Sequence, residues 1–299
     1  MGKRLISANS SEVLKMSAQE LKQSIKASEG RVILSENVAV RESFVGDITN
    51  SEIARAFGAD LILLNGVDVL NPHICGLDFK EESFVKELQK LVGCPIGVNL
   101  EPVDLDANMA EDRLEISKGR QANIDTIKEI ERLGMNFVCF TGNPGTGVTN
   151  AAIEKTIRLA KDNFSGLIIA GKMHGAGVDE PVADVKAIEG FIEAGADVIL
   201  VPAVGTVPGF DTDELKEVVK LAHSKGALVL SAIGTSQESS DEDTIKQIAI
   251  CNKICGVDIQ HIGDAGYGGV APYENILAMS KAIRGVRHTV SLIARSINR

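Results

Sequence analysis

Short apolar runs separated by amphipathic stretches recur eight times along this chain. They are Val32–Leu34, Leu61–Leu64, Pro95–Val98, Phe137–Phe140, Leu167–Ala170, Val198–Val201, Ala227–Leu230 and Ile259–Ile262. Every second run follows one three-residue pattern: Gly58-Ala59-Asp60, Gly134-Met135-Asn136, Gly195-Ala196-Asp197 and Gly256-Val257-Asp258. A glycine that closes a helix in the left-handed conformation, then a small turn and a buried strand, is the chemistry of an αβ connection. Eight strands alternating with helices at intervals of ~30–40 residues predict an α/β fold, the (β/α)8 TIM barrel. Ahead of them, Ser17-Ala18-Gln19-Glu20 is a capping box that opens a helix through Ile25. Residues 1–30 therefore read as leading helices across the bottom of a barrel over 31–299, with 1–299 one TIM-barrel domain.

Composition narrows the partners. The 299 residues carry a net charge of −10, which argues against a nucleic-acid surface and against an anionic membrane surface. A local pocket can still receive a small anionic metabolite, and nothing in the sequence speaks against a homo-oligomer. No stretch has the ~20 unbroken apolar residues of a membrane span. Met1-Gly2-Lys3-Arg4 lacks a secretory core, and Ile6 stands where myristoylation wants Ser or Thr, so a cytoplasmic location is expected. The cysteines, Cys75, Cys94, Cys139, Cys251 and Cys255, show no framework spacing. Cys94, Cys139 and Cys251 sit in apolar contexts and read as buried free thiols.

The active site of such a barrel is built from residues just after the strands, and polar chemistry concentrates there. Lys172 follows the fifth run, beside His174. A partly desolvated lysine is a Schiff-base nucleophile or a proton carrier; as a plain cation it clamps a phosphate or carboxylate. His174 is the leading general acid/base by position, whereas His261, inside the eighth run, reads as a core histidine. Two residues apart on an extended segment, Lys172 and His174 point the same way, which turns Met173 towards the helices. Glu36, Glu101 and Asp264 follow strands one, three and eight and offer a general base, a partner for Lys172, or ligands that leave room for Mg2+. Glu101 leads among them, since Asn99 and Glu101 share a strand face and Pro102 sets the exit. No histidine-rich or cysteine-rich cluster suggests zinc.

Two glycine-rich regions suit an anion. Gly234-Thr235-Ser236 after strand seven and Gly266, Gly268 and Gly269 after strand eight match the usual phosphate position of these barrels, if they do more than make tight turns. The loop Gly142–Asn150, with Asn143 and Thr146, lies beside a helix start and joins Asn65, Asn99 and Thr141 as a substrate-binding candidate. The acidic segment Val103–Gly119 is long for a βα loop and reads as a lid or as a surface excursion.

The repeated Gly-Ala-Asp patterns and the glycine-rich end of strand eight resemble phosphate-binding (β/α)8 barrels, the group that includes the tryptophan-biosynthesis barrels. Arg4-Leu5-Ile6-Ser7-Ala8-Asn9 and Gly171-Lys172-Met173-His174-Gly175 are similar to an uncharacterised bacterial family, some of whose members carry a haloacid-dehalogenase-like hydrolase label. That label implies a nucleophilic Asp at a strand end and a second Asp two residues on. Asp211 and Asp213 have the spacing, but Pro208-Gly209 precede them, and Asp211 reads as a helix N-cap.

Together these features predict an enzyme acting on a small phosphorylated or carboxylated metabolite by aldolase-, lyase- or isomerase-type proton transfer. A metal-dependent phosphohydrolase and a noncatalytic metabolite-binding barrel are the alternatives.

Overall fold

The computed structural model describes residues 3–79 and 84–299; Met1 and Gly2, read above for a leader or acyl signal, lie outside them. Two short helices, α1 (Ser10–Val13) and α2 (Ala18–Lys26), lead into β1 (Val32–Val38). There follow α3 (Asn50–Phe57), β2 (Leu61–Asn65), α4 (Phe84–Val92), β3 (Ile96–Leu100), α5 (Ile124–Leu133) and β4 (Phe137–Phe140). The second half runs through α6 (Asn150–Lys161), β5 (Leu167–Gly171), α7 (Val185–Ala194), β6 (Val198–Pro202) and α8 (Thr212–Ser224). It ends with β7 (Leu228–Ile233), α9 (Glu242–Cys255), β8 (Ile259–Ile262) and α10 (Tyr273–Ala294). All neighbouring strands pair in parallel and β8 closes on β1, so the sheet is an eight-stranded (β/α)8 barrel.

The three-residue patterns do more than turn the chain. Gly134, Gly195 and Gly256 cap their helices in the left-handed conformation. The Asp or Asn two residues later then ties the coming strand to the one before it. Asp60 accepts the Ile33 N–H at 2.9 Å, Asn136 that of Ile96 at 2.9 Å, Asp197 that of Ile168 at 3.2 Å and Asp258 that of Val229 at 2.9 Å. In return, the backbone N–H of each donates to the carbonyl of that same residue. Asp60 carries a further load: Arg284 Nη1 lies 2.6 Å from its carboxylate, and both side chains are buried.

Strand alternation sorts the core into two parts. Val32, Leu34, Leu61, Leu63, Phe137, Cys139, Leu167, Ile169, Val198, Leu200, Leu228, Leu230 and Ile259 fill the barrel, and Leu5, Leu21 and Ile25 pack against them from the leading segment. The predicted capping box is present: the Ser17 hydroxyl accepts from the Glu20 N–H and the Glu20 carboxylate accepts from that of Ser17. The residues in between, such as Ile33, Ile62, Val98, Ile168 and Val229, pack on the helices. Gly97 pairs with Phe137 across β3 and β4, and a Cβ there would come within 2.3 Å of the Phe137 ring. All the cysteines are free, and Cys251 is only half-buried while Cys255 is buried, the reverse of the expectation for Cys251. Among the described residues no helix is long and apolar enough to cross a membrane.

Removing one partner of a buried ion pair strands the other charge and costs about 3–5 kcal/mol. Arg284→Met is expected to lose that much in denaturant unfolding, and Asp60→Asn added to it is expected to restore part of the loss. Additive losses would show that the two side chains act independently.

Candidate active site

The C-terminal ends of the strands surround a cavity of about 470 Å3. Glu36, Asn65, Asn99, Thr141, Asn143, His174, Gly234, Thr235, Ser236 and Asp264, all singled out in the sequence, line it. Each strand delivers its residue by alternation: Glu36 continues the inward row Val32–Leu34, Asn65 the row Leu61–Leu63, and Thr141 the row Phe137–Cys139. Glu36 Oε2 lies 2.9 Å from Nε2 of the fully buried His261, so the core histidine of β8 engages the carboxylate of β1 beneath the mouth.

Asparagines link the next part of the rim. Asn65 Nδ2 donates to Asn143 Oδ1 at 2.9 Å and to Asp264 Oδ2 at 2.8 Å, and Asn143 Nδ2 returns a bond to Asn65 Oδ1 at 3.1 Å. Asn99 Nδ2 donates to Asn65 Oδ1 at 3.3 Å. Burial, reinforced by the charge of Glu36, pushes the Asp264 carboxyl up to about 7. His174 shifts the other way, because burial disfavours its cation. Its Nδ1 accepts the Ala176 N–H at 3.0 Å, which leaves the ring proton on Nε2.

Several expectations are corrected. Lys172 continues the outward row of Ile168 and Ala170, so it leaves the mouth to Met173, which packs with the barrel interior. Its Nζ donates to Glu180 Oε2 at 3.0 Å, and Glu180 also accepts the Asn150 N–H at the start of α6. Burial lowers the Lys172 pKa, with Glu180 opposing. Lys172 thus ties β5 to α6, and the pair of Lys172 and His174 on one face does not form. Glu101 is absent from the lining: Arg120 Nη2 holds its Oε1 at 2.8 Å, and Asn143 donates to both of its oxygens through side chain and backbone. It positions the asparagine. Thr146 is buried within its own loop, where its hydroxyl donates to the Asn143 carbonyl.

The phosphate cup does not close. Gly234, Thr235 and Ser236 face the cavity, with Thr235 and Ser236 at φ 58° and 67°. Gly266, Gly268 and Gly269 turn elsewhere. A Cβ on Gly268 would lie 2.6 Å from the Glu42 carbonyl, one on Gly269 2.8 Å from Val38, and one on Gly266 2.3 Å from the Val270 carbonyl. Gly268 and Gly269 pack against the end of β1 and the loop after it, and Gly266 turns against its own loop.

Two lining carboxylates escape sequence reasoning. Glu111 arrives on the segment 103–119, which lies across the β5 loop through a bridge of Met109 to Val178 and an Ala110 N–H bond to the Gly177 carbonyl. Glu238 sits in a short helical turn after β7 and accepts the Ala265 N–H at 3.0 Å; burial raises its pKa. The position of Glu238, two residues past Ser236 at a strand end, was the available signal. Glu111 had none beyond the acidity of its loop.

The hydrolase resemblance has no structural basis here. Asp211 accepts the N–H groups of Asp213 and Glu214 as the N-cap of α8, away from the mouth.

The barrel is similar in fold to two solved structures. One is a 2,3-dimethylmalate lyase, a PEP mutase/isocitrate lyase superfamily member, at TM-score 0.50 and 13% identity over 82% of this chain and 78% of that one. The other is a chain assigned as a lyase/mutase from Burkholderia cenocepacia J2315, at TM-score 0.50 and 15% identity over 82% of each chain. At such identities the likeness is one of fold. No curated protein sequence matches the chain. The profile of one family matches residues 6–299, and the chain therefore belongs to the family described as "Domain of unknown function (DUF7916)".

Proposed function

We propose that this protein is an enzyme of lyase or isomerase type, moving a proton on a small oxygenated metabolite bound in the barrel mouth. The observation that carries the reading is Asp264: a carboxyl lining a cavity, hydrogen-bonded to Asn65, with its pKa at about 7. A general acid/base works best when its pKa lies near the working pH, and a buried carboxyl beside a second carboxylate is a way to reach that value. Neutral His174 presents Nε2–H, and Thr141 lines the same cavity with a hydroxyl that has no partner. Both suit a reacting oxygen whose charge grows as a neighbouring C–H or C–C bond breaks. The lyase and mutase barrels of like fold are compatible with this class of chemistry.

The cavity lining includes no lysine or arginine to receive the anionic metabolite expected from the sequence. The residues also do not fit a preformed Mg2+ site. Among the described residues no three His, Cys, Asp or Glu side chains converge as ligands. Of the carboxylates considered for it, Glu36 engages His261, Glu101 engages Arg120, and Asp264 engages Asn65. No step is derived through a metal.

Incubated in D2O with small hydroxy- and keto-metabolites, the protein is expected to wash deuterium into the C–H next to a carbonyl, read by mass spectrometry. Asp264→Asn is expected to slow that exchange by about 10²–10⁴-fold. An unchanged rate in the folded variant would take Asp264 out of the chemistry.

The raised pKa also sets a pH dependence of stability. A carboxyl whose folded pKa exceeds its unfolded value contributes fully below the unfolded value and loses that contribution as pH rises through the folded one. For Asp264 the window runs from the ordinary value of 3.8 to about 7. The Tm of Asp264→Asn is therefore expected to gain on wild type between about pH 4 and about pH 7. A constant difference would show that Asp264 is ionised in the folded protein throughout.

A further inference from the structure

We propose that the mouth recognises an ammonium group, so that the substrate of this site is a small amino-bearing metabolite; the inference rests on the mouth being the substrate pocket. Four carboxylates line the cavity: Glu36 from β1, Glu111 from the segment after β3, Glu238 after β7 and Asp264 after β8. No lysine or arginine stands among the lining residues to balance them, and Lys172 and Arg120 are spent on Glu180 and Glu101.

A second observation comes from hydrogen bonding and is independent of charge. Three lining residues that are nearly fully buried leave an oxygen without a partner: Glu238 Oε2, Asn99 Oδ1 and Thr141 Oγ1, at 3%, 3% and 1% exposure. Both amide donors of Asn65 and of Asn143, and one of Asn99, are already used. Asn65 Nδ2 serves Asn143 and Asp264, Asn143 Nδ2 serves Asn65 and Glu101, and Asn99 Nδ2 serves Asn65. The mouth therefore has a surplus of acceptors and of acidic side chains, which a bound cation would hold in their ionised form. Its complement is a cation rich in donors, and a primary ammonium supplies three N–H donors on one compact charge.

A divalent metal ion is the other cation of suitable charge, and geometry separates the two. A metal needs several oxygens converging on one point at ~2.0–2.6 Å, and the described residues form no such group of acidic, histidine or cysteine side chains. An ammonium accepts partners spread around it at ~2.7–2.9 Å. Glu238 is buried with no cationic partner among its hydrogen bonds, and a bound cation offsets the cost of burying a carboxylate.

The test uses the whole protein and two matched sets of probes: glucosamine, glucose and gluconate, and ethanolamine, ethylene glycol and glycolate. MgCl2 is the separate metal arm. Binding is read by thermal shift and by calorimetry. The amine of each set is expected to raise Tm and bind, with its hydroxyl and carboxylate counterparts inert. Glu111→Gln changes an exposed loop residue, and Glu238→Gln keeps the oxygen that accepts the Ala265 N–H. Each is expected to weaken amine binding by about tenfold, the loss of one charge-assisted hydrogen bond.

Equal binding of the hydroxyl or carboxylate counterparts would overturn the proposal. So would inert amines, or binding of Mg2+ alone that is lost in both variants. Inert amines alongside Asp264-dependent deuterium exchange on another metabolite would remove the ammonium reading and leave the proton-transfer reading standing. Amine binding without any Asp264-dependent exchange would do the opposite.

Discussion

One side-chain oxygen ahead of every even strand is the contact on which this barrel depends. Asp60, Asn136, Asp197 and Asp258 each stand one residue before β2, β4, β6 and β8, and each accepts an N–H near the start of the preceding strand. Left without a partner, a buried N–H costs roughly 1–3 kcal/mol. The side chains meet that need and, through their own N–H groups, bind the strands in pairs. At the first pair Arg284 from α10 joins the contact, which couples the last helix to the barrel floor. Register at the bottom then decides which side chains face inward at the top.

The same barrel holds two different interiors. Its lower layers are aliphatic and aromatic and are covered by the leading helices, whereas its upper layer is made of Glu36, Asn65, Asn99, Thr141 and Asp264. Low-dielectric walls shift the ionisable groups towards their neutral forms, and this moves Asp264 up and His174 down. A neutral donor and a carboxyl poised near neutrality then face one cavity. The fold shared with lyase and mutase barrels supplies a place for such a site, but its chemistry is set by the residues that this chain puts there.

The architecture was legible because its signals are local. Apolar runs mark the strands, and a glycine with Asp or Asn two residues on marks where even strands start, left-handed ahead of β4, β6 and β8. The Ser17 capping box and the Asp211 N-cap satisfy backbone groups within three residues, so each is complete in the sequence. The rim was legible for a related reason: residues at the ends of predicted strands lie on one face of any such barrel. Glu36, Asn65, Asn99, Thr141, His174 and Asp264 were placed in that way, and they share one cavity.

Which rim residues look inward was decided by the tertiary structure. Met173 and Lys172 exchange their expected places because alternation runs through Gly171 without a break, and Lys172 meets Glu180 on the helix side. Gly268 and Gly269 pack against Glu42 and Val38, more than 200 positions away, where a Cβ would collide, and Gly266 turns against Val270 in its own loop. Glu111 reaches the mouth only because its segment lies across the β5 loop. The sequence by itself determined the strands, the helices and the end of the barrel that bears polar chemistry, since caps, turns and apolar runs are fixed by neighbours a few residues away. The charge of the mouth and the pairing of each carboxylate were decided by folding, because they depend on contacts between residues tens to hundreds of positions apart.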